Sequence, residues 1–212
     1  MPGIKIDRDA GCLVAGIDEA GRGPLAGPVV AAAVILPLRG VPRGIDDSKI
    51  LTALARDELH RRIEECAIVG VGVASVDEID RINILEASLL AMRRAVASMP
   101  VQPRAALVDG NKLPKDLPCP ARAVIDGDAL SRSIAAASIV AKVVRDRIMD
   151  ALADSYPGYG WQTNRGYATS DHRAAILKLG VTAHHRRTFA AVRMALEGTL
   201  QPELPLDSVA AE

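Results

Sequence analysis

A chain of 212 residues, 49% apolar and 25% charged, is long enough to bury roughly 70% of its unfolded surface without a disulfide staple. Its 26 basic and 26 acidic residues cancel, and three scattered cysteines, Cys12, Cys66 and Cys119, exclude a disulfide framework or a zinc knuckle and fit a reducing cytoplasm. The opening MPGIKIDRDAG has no apolar core of signal-peptide length, and the longest apolar run, 24–38, is too short to span a bilayer, so a cytoplasmic protein without membrane contact is expected.

Residues 12–17 and 29–36 read as two strands joined by a glycine-rich loop. Thr52 is placed to cap a helix running to about residue 65. Residues 67–74 read as a third strand, and 84–98 as a helix stopped before Pro100. Short strands follow at 105–108 and 121–125; the first ends in Asp109, the second in Asp126-Gly127-Asp128. Residues 133–153 read as a long helix stopped by Pro157, with shorter helices near 171–179 and 189–198. Strands interleaved with helices after an opening hairpin indicate an α/β protein, a mixed sheet covered by helices. The tail from about 199 carries two prolines and is expected to be frayed.

Acids recur where the expected strands end: Asp18 and Glu19, then Asp109, then Asp128. Ligands of open α/β sheets gather at such ends. Carboxylates brought together must share a proton or hold a cation. Hard oxygen donors suit Mg2+ or Mn2+, and such ions can hydrolyse a phosphodiester. Neighbouring strand residues face opposite sides, so Glu19 is expected to join Asp18 only if the strand ends or bulges between them. Gly21, Gly23 and Ala26 also match a GxGxxA phosphate loop, but that motif must open a helix, and here Pro28 and a strand follow.

The charge is unevenly spread. Residues 142–193 hold nine basic and four acidic residues, and no Lys or Arg follows Arg193. A local basic half suggests a polyanion partner. Five aromatics are too few for a single-strand stacking platform. Tyr156, Tyr159 and Trp161 are expected to pack a corner, and Ser138 to be a small packing residue. His184, His185, Arg186 and Arg187 are expected to contact phosphate or make structural hydrogen bonds. A small-molecule phosphohydrolase and a non-catalytic nucleic-acid binder are the competing classes; the basic segment disfavours the first, the acidic set the second.

The segments GIDEAGRGPLAGPVVAAAVIL, DDSKIL, INILEAS, LVDGN, GDALSRSIAAASIVAKVVRDRIM, GYAT and HHRRTF, in this order over about 12–193, resemble bacterial ribonuclease HII of the type 2 ribonuclease H family. The related HIII type carries an extra N-terminal domain and another residue in place of Arg22. The resemblance implies a ribonuclease H-like mixed β-sheet flanked by helices, with a C-terminal helical extension. Residues 1–198 would form one domain, including a substrate-binding region at about 155–198, and 199–212 a disordered tail. It implies an endoribonuclease that cuts the RNA strand of RNA–DNA hybrids and incises 5′ of single ribonucleotides in duplex DNA, with Mn2+ or Mg2+, leaving 3′-hydroxyl and 5′-phosphate ends. The implied acidic site is Asp18, Glu19, Asp109 and Asp128. The implied substrate contacts are Gly21, Arg22 and Gly23, whose backbone would approach the ribose, and Tyr167, which would pack against the sugar. A side chain at Gly21 or Gly23 would stand where the sugar must lie. Lys49 could bind phosphate. The family commonly has Lys-Gly-Asp where this chain has Asp126-Gly127-Asp128, so Asp126 competes with Asp128 as the fourth acid. It also tends to a proline where Phe189 is followed by Ala190. A monomer is expected, and a sliding-clamp contact through the tail stays open.

Overall fold

The computed structural model describes residues 2–3, 5–46, 48 and 50–201. Five strands, β1 (Val14–Ala20), β2 (Val29–Ile35), β3 (Ile68–Ala74), β4 (Ala105–Asp109) and β5 (Ala121–Val124), form one sheet in the order β3-β2-β1-β4-β5. β2 pairs antiparallel with β1 and β3, while β4 runs parallel to β1 and β5. This is the mixed sheet expected from the sequence. β1 is its central strand, and both of its neighbours contribute to the core.

Helices cover both faces. On one, Ala15, Ile17, Ala31 and Ala33 of the sheet pack against Ala87, Ala91 and Ala95 of α3 (Val76–Ala97). On the other, Ala32 and Val34 meet Ala135, Ala136 and Ile139 of α5 (Arg132–Ser155), with Leu59 and Ile63 of α2 (Ala53–Cys66) in the same cluster. Close approach depends on small residues. A Cβ on Gly16 would lie 2.1 Å from the Ser133 carbonyl carbon, so only glycine lets α5 begin directly over β1.

Thr52 caps α2 as expected, its hydroxyl accepting from the Ala55 N–H. Ser131 caps α5 in the same way. The five-residue α1 (Lys5–Asp9), absent from the sequence reading, supplies a second cap. Its Asp7 carboxylate accepts from the Arg132 and Ser133 N–H groups and the Ser131 hydroxyl. α3 starts eight residues earlier than the periodicity indicates. Ser75 and Glu78 form a capping box. The helix then breaks at Asn83 (φ 68°), whose side chain caps the second half through the Leu85 and Glu86 N–H groups.

After α4 (Gly127–Leu130) and α5 come α6 (Trp161–Asn164), α7 (Ser170–Leu179) and α8 (Ala190–Leu196). Trp161, Tyr159, Ile176 and Val192 form a separate apolar cluster that takes in Leu25 and Ala26 of the loop after β1. Tyr159 stacks on Trp161 with centroids 5.0 Å apart, the expected aromatic corner. Where the family tends to a proline, Ala190 opens α8, with Phe189 as its N-cap residue. No helix among the described residues is long and apolar enough to cross a membrane. The tail beyond residue 201 lies outside the described residues.

Candidate active site

β1 does not end or bulge between its two acids, contrary to the sequence expectation. Its register with β2 is unbroken through Asp18↔Ala32, Glu19↔Ala31 and Ala20↔Val30. Pairing with β4 stops at Ile17↔Val108. The acids therefore sit inside the strand, just where its pairing with the parallel neighbour ends. Their Cβ atoms start on opposite faces, yet both side chains line one cleft with Asp109, the last residue of β4. The loop residues Gly21, Arg22 and Gly23 line it too. So do Ser48, Tyr167, and Ser138, Lys142 and Arg145 from consecutive turns of α5.

The acids are poorly compensated. Asp18 is 6% exposed; its Oδ1 accepts the Glu19 N–H at 2.7 Å, and the Ser138 hydroxyl hydrogen-bonds its carboxyl. Burial, then the charges of Glu19 and Asp109, push its carboxyl well above the usual carboxylate range. Burial also raises Glu19, opposed by Arg22, whose Nη1 donates to Oε1 at 3.2 Å. The other oxygen of Glu19, Oε2, is buried with no hydrogen-bond partner. Asp109 accepts the Gly127 N–H at 2.7 Å.

Asp128 is not on the cleft wall. It follows Gly127 in α4 and is 8% exposed, buried beside the residue that bonds Asp109. Asp126 is exposed and left-handed (φ 52°) at the N-cap of α4. Three of the four expected acids thus share the cleft and the fourth adjoins it; burial favours Asp128 over Asp126. Among the described residues no three His, Cys, Asp or Glu side chains are gathered tightly enough to enclose an ion. The donor set nevertheless fits one. Its donors are hard carboxylate oxygens, one of them buried and orphaned, on side chains that repel one another.

Gly21 and Gly23 differ. Gly21 has φ 97°, and a Cβ there would meet Arg145 Nε at 2.0 Å, so the protein's own packing already requires glycine at this position. A Cβ on Gly23 would make an ordinary 3.6 Å contact with Tyr167 Cε1, at the rim of the cleft. Tyr167 is 47% exposed. Lys49 lies outside the described residues.

One expectation is corrected, and for His185 and Arg186 the structural alternative holds. Ser138 is not merely a packing residue, since it bonds Asp18 and lies 2.9 Å from the Ser48 hydroxyl. His185 and Arg186 are fully buried. His185 Nδ1 accepts from the Thr182 N–H, and its Nε2 lies 3.2 Å from His172 Nε2. His172 Nδ1 donates to the Tyr167 carbonyl, and its Nε2 accepts from Trp161, so the pair is a neutral structural network. The basic half is also thinner than it reads. Arg145, Arg173 and Arg186 are buried, and Lys142 and Arg165 pair with Asp146 and Asp150. The sequence reading missed Ser48, Lys142 and Arg145 as cleft residues. Only the helical spacing 138, 142, 145 could have signalled that two of them share a face with Ser138.

A five-stranded mixed sheet with acids on its central strand and on the parallel strand beside it, roofed by a long helix, defines a ribonuclease H-like nuclease. The family model for ribonuclease HII matches residues 15–192. A ribonuclease HII of Parvibaculum lavamentivorans is 56% identical over 211 residues, covering 98% of this chain and 78% of the relative. Among solved structures, the ribonuclease H2 of Pyrococcus horikoshii superposes with a TM-score of 0.73 at 28% identity, covering 88% of this chain and 98% of that one. The RNase HII of Archaeoglobus fulgidus, solved in complex with PCNA, gives 0.67 at 26% identity, covering 92% of this chain and 100% of that one. The chain belongs to the ribonuclease HII family, and it is a ribonuclease H, a hydrolase of the RNA strand in RNA–DNA hybrids.

Proposed function

We propose that this enzyme incises duplex DNA on the 5′ side of a single embedded ribonucleotide, as well as cutting longer hybrids, and so removes ribonucleotides from DNA in the cytoplasm. The observation that carries the reading is the meeting, in one cleft, of under-compensated acids, a glycine loop presenting backbone, and an exposed tyrosine. Asp18, Glu19 and Asp109, with Asp128 behind them, would hold Mg2+ or Mn2+. When bound, such an ion lowers the pKa of water and stabilises charge on phosphoryl oxygens. The chain's own residues do the rest. The backbone at Gly21, Arg22 and Gly23 meets the 2′-hydroxyl, the group that distinguishes RNA from DNA. Tyr167 packs its ring against the neighbouring sugar. Arg22 holds Glu19 in place from the rim. In-line attack of water then leaves 3′-hydroxyl and 5′-phosphate ends.

The working unit on this reading is a monomer of residues 1–198, in which 155–198 forms the substrate platform and the remainder is an extension. The PCNA complex of the Archaeoglobus relative supports a clamp contact for that extension. The test is incision of a duplex carrying one ribonucleotide. The wild type should cut 5′ of it only with divalent cation, and Asp128→Asn should cost more activity than Asp126→Asn. Cleavage of an all-DNA duplex at the same rate would contradict the substrate, and the reverse order of the two variants would move the fourth acid to Asp126.

A further inference from the structure

We propose that Arg186, backed by Arg145, is a positioning residue that turns the Arg22 and Gly23 amide N–H groups into the cleft and strengthens them as donors to the 2′-oxygen; this rests on the substrate reading above. Both guanidiniums are buried, at 0% and 1% exposure. Among the described residues neither makes an ion pair with a carboxylate. Their partners are backbone carbonyls instead. Arg186 donates to Gly21 O (2.6 Å), Arg22 O (2.7 Å), Gly27 O (3.0 and 2.9 Å) and Pro28 O (3.2 Å). Arg145 donates to Ala26 O, Pro28 O and Arg165 O, each at 3.1 Å. The two side chains therefore draw the carbonyls of Gly21, Arg22, Ala26, Gly27 and Pro28 back toward the protein.

That direction fixes the other end of each peptide. The Gly21 carbonyl shares a planar trans unit with the Arg22 N–H, and the Arg22 carbonyl with the Gly23 N–H. Carbonyls aimed inward at Arg186 leave those two N–H groups pointing the opposite way, and the residues that carry them line the cleft. Among the described residues neither N–H meets a protein acceptor. A cation at the carbonyl end withdraws electron density and makes the amide a better donor, as in any chain of polarised hydrogen bonds. The charge is retained despite its cost. Burial lowers Arg186 to about 9, with Arg145 as the next cause, yet the group remains a cation at neutral pH. Its site is built around it. Phe189 lies under the guanidinium, 5.1 Å from its centroid. The turn that follows is tied down by Asp80, which accepts from the Arg187 and Thr188 N–H groups and the Thr188 hydroxyl.

A merely structural arginine and a positioning one are separated by a cycle of enzyme and substrate changes. The substrates are duplexes with one ribonucleotide and the same duplex with 2′-deoxy-2′-fluoro at that position, fluorine being a weak acceptor. Arg186→Lys keeps the charge but not the fork. It should lower kcat/KM on the ribonucleotide about tenfold, the upper end of what one neutral hydrogen bond is worth, and on the fluoro substrate less than about threefold. Ile176→Val, in the apolar cluster against which Phe189 packs, serves as the packing control and should affect both substrates alike. If Arg186→Lys does not fold, Asp80→Ala loosens the same turn and should show the same non-additivity. Equal losses on both substrates would overturn the inference while leaving the function standing. A wild type that fails to cut the ribonucleotide would overturn the function, and this inference with it.

Discussion

Two groups of buried charge flank the same eleven-residue stretch, 18–28, and the chain treats them differently. The arginines behind the loop are satisfied: Arg145 and Arg186 spend their donors on carbonyls, and Arg186 also lies over the Phe189 ring. The acids at its start are not. Asp18 and Glu19 are raised by burial, face Asp109, and keep one carboxylate oxygen without a partner. Closed cations make a scaffold, whereas open anions make a site waiting for a ligand. Unsatisfied buried charge is costly, and it persists where function needs it.

The largest expected effect falls on the open side. Asp109→Asn keeps the shape and the Gly127 hydrogen bond but removes the charge. It should cut hybrid hydrolysis by more than about 100-fold, beyond what an outer-shell partner is worth, with an unchanged circular-dichroism spectrum. Activity within tenfold of wild type would erase the distinction between the two groups.

The closed side should fail by unfolding instead. Gly21→Ala puts a Cβ into Arg145 at a left-handed φ, which should cost about 1–3 kcal/mol and lower Tm by about 4–10 °C. Gly23→Ala meets only the Tyr167 ring at ordinary distance, so it should hold Tm within about 2 °C while reducing incision. Equal Tm losses in the two variants would show that the loop is not divided as described.

A smaller effect should appear in acid. Burial, then His172 and His184, lower His185 to about 3, and no carboxylate contributes to it. Its folded pKa lies below its unfolded value near 6.5, so the stability it contributes is present above pH 6.5 and is lost as pH falls toward 3. Between pH 6.5 and 5 the loss should be about 1–2 kcal/mol by denaturant titration, and smaller in His185→Gln. A wild type whose stability does not fall over that interval would contradict the neutral histidine network.

What could be read from the chain depended on how local the cause was. The Thr52 cap, the strand pattern and the long helix after Ser131 are set by neighbouring residues, and the sequence showed them. The acids stood out because they interrupt apolar runs. The five-residue α1 and four-residue α6 carry too little periodicity to announce themselves. Asp7 as a cap for α5, 124 to 126 residues away, is invisible without the fold. The same holds for Arg186, whose acceptors lie 158 to 165 residues upstream; in sequence it looks like one more phosphate-binding cation.

The central claim, that the open acids are kept open for a divalent ion, is tested most directly by thermal unfolding with and without Mn2+. Wild type should gain about 5–10 °C at a concentration near a hundred times Kd. Asp18→Asn, relieved of a buried charge whose pKa is raised in the fold, should melt above the metal-free wild type and gain nothing from Mn2+. A wild type indifferent to Mn2+, or an Asp18→Asn variant that melts lower and still responds to the ion, would contradict the account.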